Sequence, residues 1–434
     1  MIRFIHAADI HLDSPMRGIE SENARIDSDV YRRSTRVALS NLIDFAIREK
    51  VDFMTLGGDN YDGDLDSWES GYYFNEQMAR LGDIPVVSIS GNHDAESKMT
   101  KNLNYPRNFK QLSVDEVEVY PVIDGVQVIG RGFRNPQEKN NLVVDYPYID
   151  GKVIKIGLLH TSLDGKDGHA RYAPCTIEDL RVKNYHFWGL GHIHKHSWEL
   201  PAGELPILFP GNLQGRHIRE TGPKGAWLIE LDDDGRLLNA KFEAMDVTRW
   251  EMIRIDTSQL LHIDDLWRQC EMEFVRKLKD AGDRPLAVRL RLDGSTDLHD
   301  ELLQLQFADN RIHAEIQSIA SNMASKRIWV EKVELKTLPP VTSSVRDSEL
   351  THLHQFIEEK AVTTEWMTQF LEMDDIKKLK SQLGYFDNPE DKRELEAIFK
   401  PESIAALIEQ VPEFLKSYLS QTNYGKTERI ENGE

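Results

Sequence analysis

Residues 84–94 read IPVVSISGNHD. Ile84, Val86, Val87 and Ile89 are β-branched residues in a short run closed by Gly91, the pattern of a buried strand that ends in a tight loop. Asn92, His93 and Asp94 then stand where open α/β sheets bind ligands, beyond the carboxyl ends of strands. Four other runs share this design. Ile2 to Ala8 leads into Asp9-Ile10-His11, Val51 to Leu56 into Gly57-Gly58-Asp59, Val153 to Leu159 into His160, and His186 to Leu190 into Gly191-His192-Ile193-His194. One polar strand end is commonplace; five without a cysteine among them point to a single cluster of hard and borderline ligands.

That set suits two metal ions. With Asp59 as a bridge, Asp9, His11 and His194 complete one ion and Asn92, His160 and His192 the other, which leaves positions for water and substrate. Residues two apart on an extended segment face one side, so His192 and His194 both approach the cluster, as do Asp9 and His11. Ligation by Asp, Asn and His favours Mn²⁺, Fe or Zn²⁺ over Ca²⁺, which prefers oxygen alone. Two divalent ions carry more charge than two carboxylates return, so the centre attracts anions, and ions ~3.5–4 Å apart can clamp both oxygens of an in-line displacement at phosphorus. His93 is left as general acid for a departing alkoxide, with Asp94 or Asp62 holding its other ring nitrogen. His6, His186 and His196 read as structural or surface residues.

The chain of 434 residues exceeds the roughly 250–300 residues at which single cores stop growing, so two or three domains are expected. Its 53 Lys plus Arg against 73 Asp plus Glu leave a formal charge of -20, which disfavours broad non-specific binding to nucleic acid or anionic membrane. Cys175 and Cys270 are its two cysteines, far apart in sequence, so neither a disulfide framework nor a thiolate zinc site is expected. No run approaches the ~20 apolar residues that span a bilayer. Arg3 and His6 interrupt the start MIRFIHAADI, so no signal peptide is expected and the protein reads as cytoplasmic.

Residues 1–246 alternate strands with helical stretches. Helices are expected over Tyr31 to Lys50 and over Trp68 to Leu81, the latter burying Tyr72, Phe74, Met78 and Leu81, and a short one begins near Thr176. Strands over Leu208 to Gly215 and Gly225 to Leu231, then a turn at Asp232 to Gly235, supply a second sheet, so the expected fold is α+β, a sandwich of two sheets. Residues 247–340 form a smaller α/β domain closed by Pro339-Pro340. Residues 341–434 hold 11 Lys plus Arg against 19 Asp plus Glu, 11 - 19 = -8, with helical periodicity over 350–360, 364–371 and 404–419 and a polar tail.

In this order, DIH, GGD, GNHD, a lone His after a strand, and GHIH resemble the five motifs of the calcineurin-like metallophosphoesterases. HAADIHLDSP near the start and FPGNLQGRHIRETGPKG at 209–225 narrow the resemblance to the SbcD-type DNA repair nucleases, above all the YhaO-type members. The resemblance covers roughly residues 1–340. It implies a four-layer αββα domain, a capping domain that shapes DNA access, and a C-terminal segment that docks on an SbcC-like coiled-coil ATPase. It also implies a homodimer and manganese held by Asp9, His11, Asp59, Asn92, His160, His192 and His194, with His93 catalytic. Asn60-Tyr61 is a departure, since relatives usually carry two apolar residues after the Asp of GGD.

The function read from these residues is therefore a two-metal DNA exonuclease of double-strand-break repair. Its rivals are a phosphoesterase for a small molecule, which has no need of the residues beyond the catalytic domain, and a non-catalytic metal scaffold, which has no use for His93. Lys98, Lys101 and Arg107 follow GNHD in a locally basic stretch, and Arg216, His217 and Arg219 follow Pro-Gly-Asn; both sets are candidates for DNA contact. A solvated loop is the alternative for the first set, and the better account of Lys166, His169 and Arg171.

Overall fold

The computed structural model describes residues 1–14, 33–62, 68–96, 103–164, 172–199, 201, 203–307, 310–323, 327–340, 371–373, 400 and 403–404. Strands β1 (Ile2–Ala7), β2 (Phe53–Leu56), β3 (Val86–Ser88), β4 (Phe109–Gln111), β5 (Glu118–Ile123), β6 (Val126–Gly130), β7 (Ile154–His160), β8 (Phe187–Gly191), β9 (Ser197–Trp198), β10 (Ile207–Phe209), β11 (Gly225–Leu231) and β12 (Leu237–Ala244) build two six-stranded sheets. Their orders are β12-β11-β1-β2-β3-β4 and β5-β6-β7-β8-β10-β9. Strands β1 to β4 run parallel, as do β6, β7, β8 and β10, while β11, β12, β5 and β9 join antiparallel.

The period of two along each strand sorts side chains into layers. Phe4, Phe53, Val87, Ile156, Leu158 and Phe187 point between the sheets and form one core. Their neighbours Ile5, Met54, Leu56 and Val86 point the other way, onto α1 (Ser34–Glu49) and α2 (Trp68–Arg80), where Leu39, Leu42, Ile43, Ala46, Phe74 and Met78 meet them. On the far sheet Leu159, Trp188 and Leu190 turn outward against Leu142, Val143 and Leu180. The result is four layers, αββα, in the α+β class. Each large side chain so buried is worth about 1.5–3 kcal/mol relative to exposure.

Local signals set the ends. Lys50 takes the left-handed conformation, φ 51°, and its N–H closes α1 onto Ala46 and Ile47. The short helix Ile177–Arg181 is started by a capping box between Thr176 and Asp179. Tyr72 departs from expectation: it is 63% exposed, while Phe74 and Met78, four apart, take the buried face of α2.

Beyond the two sheets, β13 (Arg249–Asp256), β14 (Leu286–Ser295) and β15 (Ile328–Leu338) form a three-stranded sheet in the order β13-β14-β15. The chain divides into two compact units, one of Met1–Ile253, Cys270–Leu290 and His313–Val333, the other of Arg254–Gln269, Arg291–Ile312 and Glu334–Glu434. Within the first, Trp250 packs with Ala287 and Trp329, and its Nε1 donates to Gly215 O at 3.0 Å. The helix expected over 350–360, and most of those over 364–371 and 404–419, lie outside the described residues. Cys175 and Cys270 are both buried and unbridged. No helix among the described residues is long and apolar enough to cross a membrane.

Candidate metal centre

Parallel register brings the strand ends together: Ala7 lies opposite Leu56, Leu56 opposite Ser88, and His160 opposite Gly191. The first two loops continue to bond as they leave the sheet, with Asp9 N–H on Gly58 O at 2.9 Å and His11 N–H on Asp59 O at 3.0 Å. Asp9, His11, Asp59 and His192 sit at φ 50°, 43°, 53° and 99°, the left-handed region. Such residues cost about 1–3 kcal/mol each and gather at functional sites, where the surrounding structure over-determines them.

The side chains converge. Asp9, His11 and His194 bring their donor atoms within 4.8 Å of one another, as do Asp9, Asp59 and His160, and His11, Asp59 and His93. Asp59 Oδ2 is 3.3 Å from His160 Nε2 and 3.9 Å from His11 Nε2. Asn92 Oδ1 approaches His160 Nε2 at 3.1 Å. The His192 ring lies against those of His160 and Tyr172, at centroid distances of 5.3 and 5.5 Å, and its backbone N–H donates to the Asp9 carboxylate at 3.0 and 3.1 Å.

Divalent cations fit this arrangement on its own chemistry. His160 Nδ1 lies 2.9 Å from Gly57 O, and a carbonyl can only accept, so the proton sits on Nδ1 and Nε2 turns a lone pair toward Asp59 and Asn92. His194 Nδ1 lies 2.7 Å from Glu220 Oε1, so its Nε2 likewise faces His11 Nε2, at 3.2 Å, lone pair first. Lone pairs turned on one another at such distances need a positive centre between them: a proton on a ring nitrogen in metal-free protein, or a divalent cation that draws on several of these groups at once.

Charge in the pocket agrees. Burial pushes the Asp9 carboxyl up to about 6. Burial works against a charged His160, yet the adjacent Asp59 carboxylate outweighs it and pushes the imidazole up to about 9. In metal-free protein at neutral pH a cation must displace that proton. We therefore expect Mn²⁺ affinity to strengthen as pH rises from about 6 to 9, with proton release on binding. Calorimetry in buffers of different ionisation heat checks this; equal heats and a flat pH profile would contradict it.

His93 stands at the rim, its side chain 37% exposed, with Nδ1 3.0 Å from Asp62 Oδ1 and its backbone N–H on Asp59 Oδ1 at 2.9 Å. Burial opposes its charge, but the Asp62 hydrogen bond and the charges of Asp59 and Asp62 push it up to about 9. Of the two carboxylates considered for this partnership, Asp62 takes the His93 ring. The Asp94 carboxylate is 4% exposed and accepts from Gly91 N–H at 3.0 Å and Tyr61 N–H at 3.1 Å, so it braces the loops.

Gly91 is required by closeness. A Cβ there would lie 2.2 Å from Asp59 Oδ1 and 2.7 Å from His160 Cε1. Gly91→Ala must displace both side chains, and misplacement by ~1 Å costs about 10²-fold in rate. The expected outcome is a folded variant with hydrolysis of bis-p-nitrophenyl phosphate reduced by about that factor; wild-type activity would contradict it.

The candidates for DNA contact separate. Lys98 and Lys101, with Lys166, His169 and Arg171, lie outside the described residues. Arg107 precedes β4 and pairs with Asp83, which precedes β3, at 2.8 Å. Both therefore sit at the amino ends of parallel strands, opposite the cluster, so Arg107 is not a contact beside it. Arg216 is no open phosphate ligand either: its side chain is 12% exposed and its guanidinium lies 3.0 Å from Glu220 and 3.8 Å from Asp62. His217 Nε2 lies 3.6 Å from Glu220, and Arg219 is exposed.

Sequence reading missed Glu220 and Lys224. Glu220 accepts from the His194 ring, and Lys224, 5% exposed, donates to His194 O at 2.8 Å. The signal available was an acid within four residues of Arg216, His217 and Arg219. His6 is structural as expected, held by Thr55 Oγ1 and Leu190 O at 3.0 Å each.

Comparison with known proteins gives this geometry its family. The calcineurin-like phosphoesterase model matches residues 2–216, and a model of the middle domain of the metallophosphoesterase YhaO matches 250–338. The uncharacterized metallophosphoesterase YhaO of Bacillus subtilis is 32% identical over 300 residues, 68% of this chain and 72% of that protein. The DNA double-strand break repair protein Mre11 of Archaeoglobus fulgidus is 24% identical over 81% of this chain and 83% of its own. The SbcD component of the SbcCD nuclease from Staphylococcus epidermidis is 20% identical over 56% of this chain and 69% of its own. A cluster of acceptors that calls for divalent cations, carried on two stacked sheets, is thus accounted for by descent: the chain belongs to the calcineurin-like phosphoesterases and is similar to YhaO through both its phosphoesterase and its middle domain.

Proposed function

We propose that this metal-dependent phosphoesterase is a DNA exonuclease that works in double-strand-break repair. The observation that carries the reading is the similarity to Mre11 over 81% of the chain, well past the phosphoesterase segment at 2–216. In this reading Asp9, His11, Asp59, Asn92, His160, His192 and His194 hold two divalent ions, Mn²⁺ first among them. Such ions supply the charge that activates water and neutralises phosphoryl oxygens during in-line displacement.

The chain's own groups do the rest. Asp62 fixes the His93 ring by Nδ1, which leaves Nε2 to face substrate at the exposed rim. With its pKa pushed up to about 9, His93 is protonated at neutral pH. It hands that proton to the leaving 3′ oxygen, which is too basic to depart as an alkoxide. Phosphate contacts come from Arg219, His217 and the Lys98 to Lys101 stretch, because the charge of -20 leaves only local features to hold a polyanion.

Residues 247–340 serve as the capping domain and 341–434 as the docking segment for an SbcC-like coiled-coil ATPase, in a cytoplasmic homodimer. The test is digestion of end-labelled duplex and single-stranded DNA with Mn²⁺, with and without the coexpressed ATPase. Shortening from the ends is expected. DNA left intact while bis-p-nitrophenyl phosphate is hydrolysed would replace this reading by a small-molecule phosphoesterase.

A further inference from the structure

One buried carboxylate outside the cluster gathers an unusual number of donors. Glu220 is 4% exposed. Its Oε1 faces His194 Nδ1 at 2.7 Å and Arg216 Nη2 at 3.0 Å, and its Oε2 accepts from the Arg216 backbone N–H at 2.7 Å and Asn212 Nδ2 at 2.9 Å.

A carboxylate at Nδ1 keeps the proton of an imidazole on that nitrogen, so that Nε2 presents its lone pair. His194 Nε2 is the atom that faces His11 Nε2 at 3.2 Å. The His194 side chain is itself 21% exposed, and Glu220 anchors its ring by Nδ1. Arg216, Asn212 and the Arg216 backbone fix the anchor in turn.

We propose that Glu220 is a positioning residue of the metal centre, holding the His194 ring in the orientation and tautomer that bind a divalent cation. The inference rests on reading the cluster as a cation site. Its rival is that Glu220 serves only as counter-charge to the buried Arg216.

Glu220→Gln separates the two. Glutamine has the same shape but one acceptor oxygen, so its amide NH₂ must face some of the donors now bound. Mn²⁺ titration calorimetry on the full chain, with metal content after dialysis, reads the effect independently of catalysis. The expected result is Mn²⁺ affinity weakened about 10- to 100-fold at one of two sites, the range seen when such partners are removed. Wild-type affinity at both sites would overturn the proposal. Because glutamine leaves Arg216 buried without its counter-charge, Arg216→Met/Glu220→Gln is measured alongside, which removes both charges of the pair. The paired variant is expected to fold and still bind Mn²⁺ weakly; recovery of wild-type affinity would assign Glu220 to Arg216 alone. Wild-type protein that binds no Mn²⁺ would bring down the cation-site reading and this proposal together, whereas tight wild-type binding with unaltered variants would remove only the role of Glu220.

Discussion

Asp59→Asn is expected to reduce Mn²⁺-dependent hydrolysis of bis-p-nitrophenyl phosphate by about 10³-fold or more. Metal clamps of this kind supply several kcal/mol of transition-state stabilisation, and each 1.36 kcal/mol is about tenfold in rate. The carboxylate faces both halves of the cluster, 3.3 Å from His160 and 3.9 Å from His11. Asparagine keeps its shape, and one oxygen can still accept the His93 N–H that Asp59 now takes at 2.9 Å. The fold should therefore persist while the negative charge that draws cations is lost. Metal content and melting temperature read together check this; a variant that retains two ions and full activity would show that Asp59 is no bridge.

His93→Ala is expected to do the reverse, leaving metal content unchanged while lowering the rate on DNA by about 10²- to 10⁴-fold, the usual contribution of a positioned acid. The loss should be much smaller on bis-p-nitrophenyl phosphate, because p-nitrophenolate departs without a proton. If His93 is the acid proposed above, the wild-type rate on DNA should fall as pH rises through about 9, where its imidazole loses the proton. Asp62→Asn should move that fall to lower pH, because the shift is upward and Asp62 is a main cause of it. Equal losses on both substrates would mean that His93 supports the metal centre and not the leaving group.

The two-sheet sandwich was legible because strands packed on both faces read as short apolar runs, as in Phe4-Ile5, Phe53-Met54 and Phe187-Trp188, whose adjacent side chains enter different cores. The cluster was legible for a related reason: a strand points its last residues at one edge of the sheet, so five polar strand ends predict a meeting place without any knowledge of loop shape. What failed depended on loop path or helix phase. Arg107 follows GNHD closely in sequence, but the chain has by then crossed to the other end of the sheet and pairs with Asp83. Choosing between Asp62 and Asp94 required the backbone turn at Asp59, φ 53°, which sequence does not display. Tyr72 misled because apolar character alone does not set the phase of α2.

Glu220 was hidden by its surroundings. An acid among Arg216, His217 and Arg219 reads as one half of a surface ion pair, and nothing in the string says that its side chain is buried and turned toward His194. A buried acid is informative only once its partners are known, because burying a charge is costly unless it is paired.

Anomalous diffraction at the manganese edge, from crystals grown with Mn²⁺, locates the ions themselves. Two peaks are expected about 3.5–4 Å apart, with Asp59 between them, Asn92 and His160 on one and His11 and His194 on the other. A single peak away from Asp59, or no peak among these side chains, would contradict the two-metal centre.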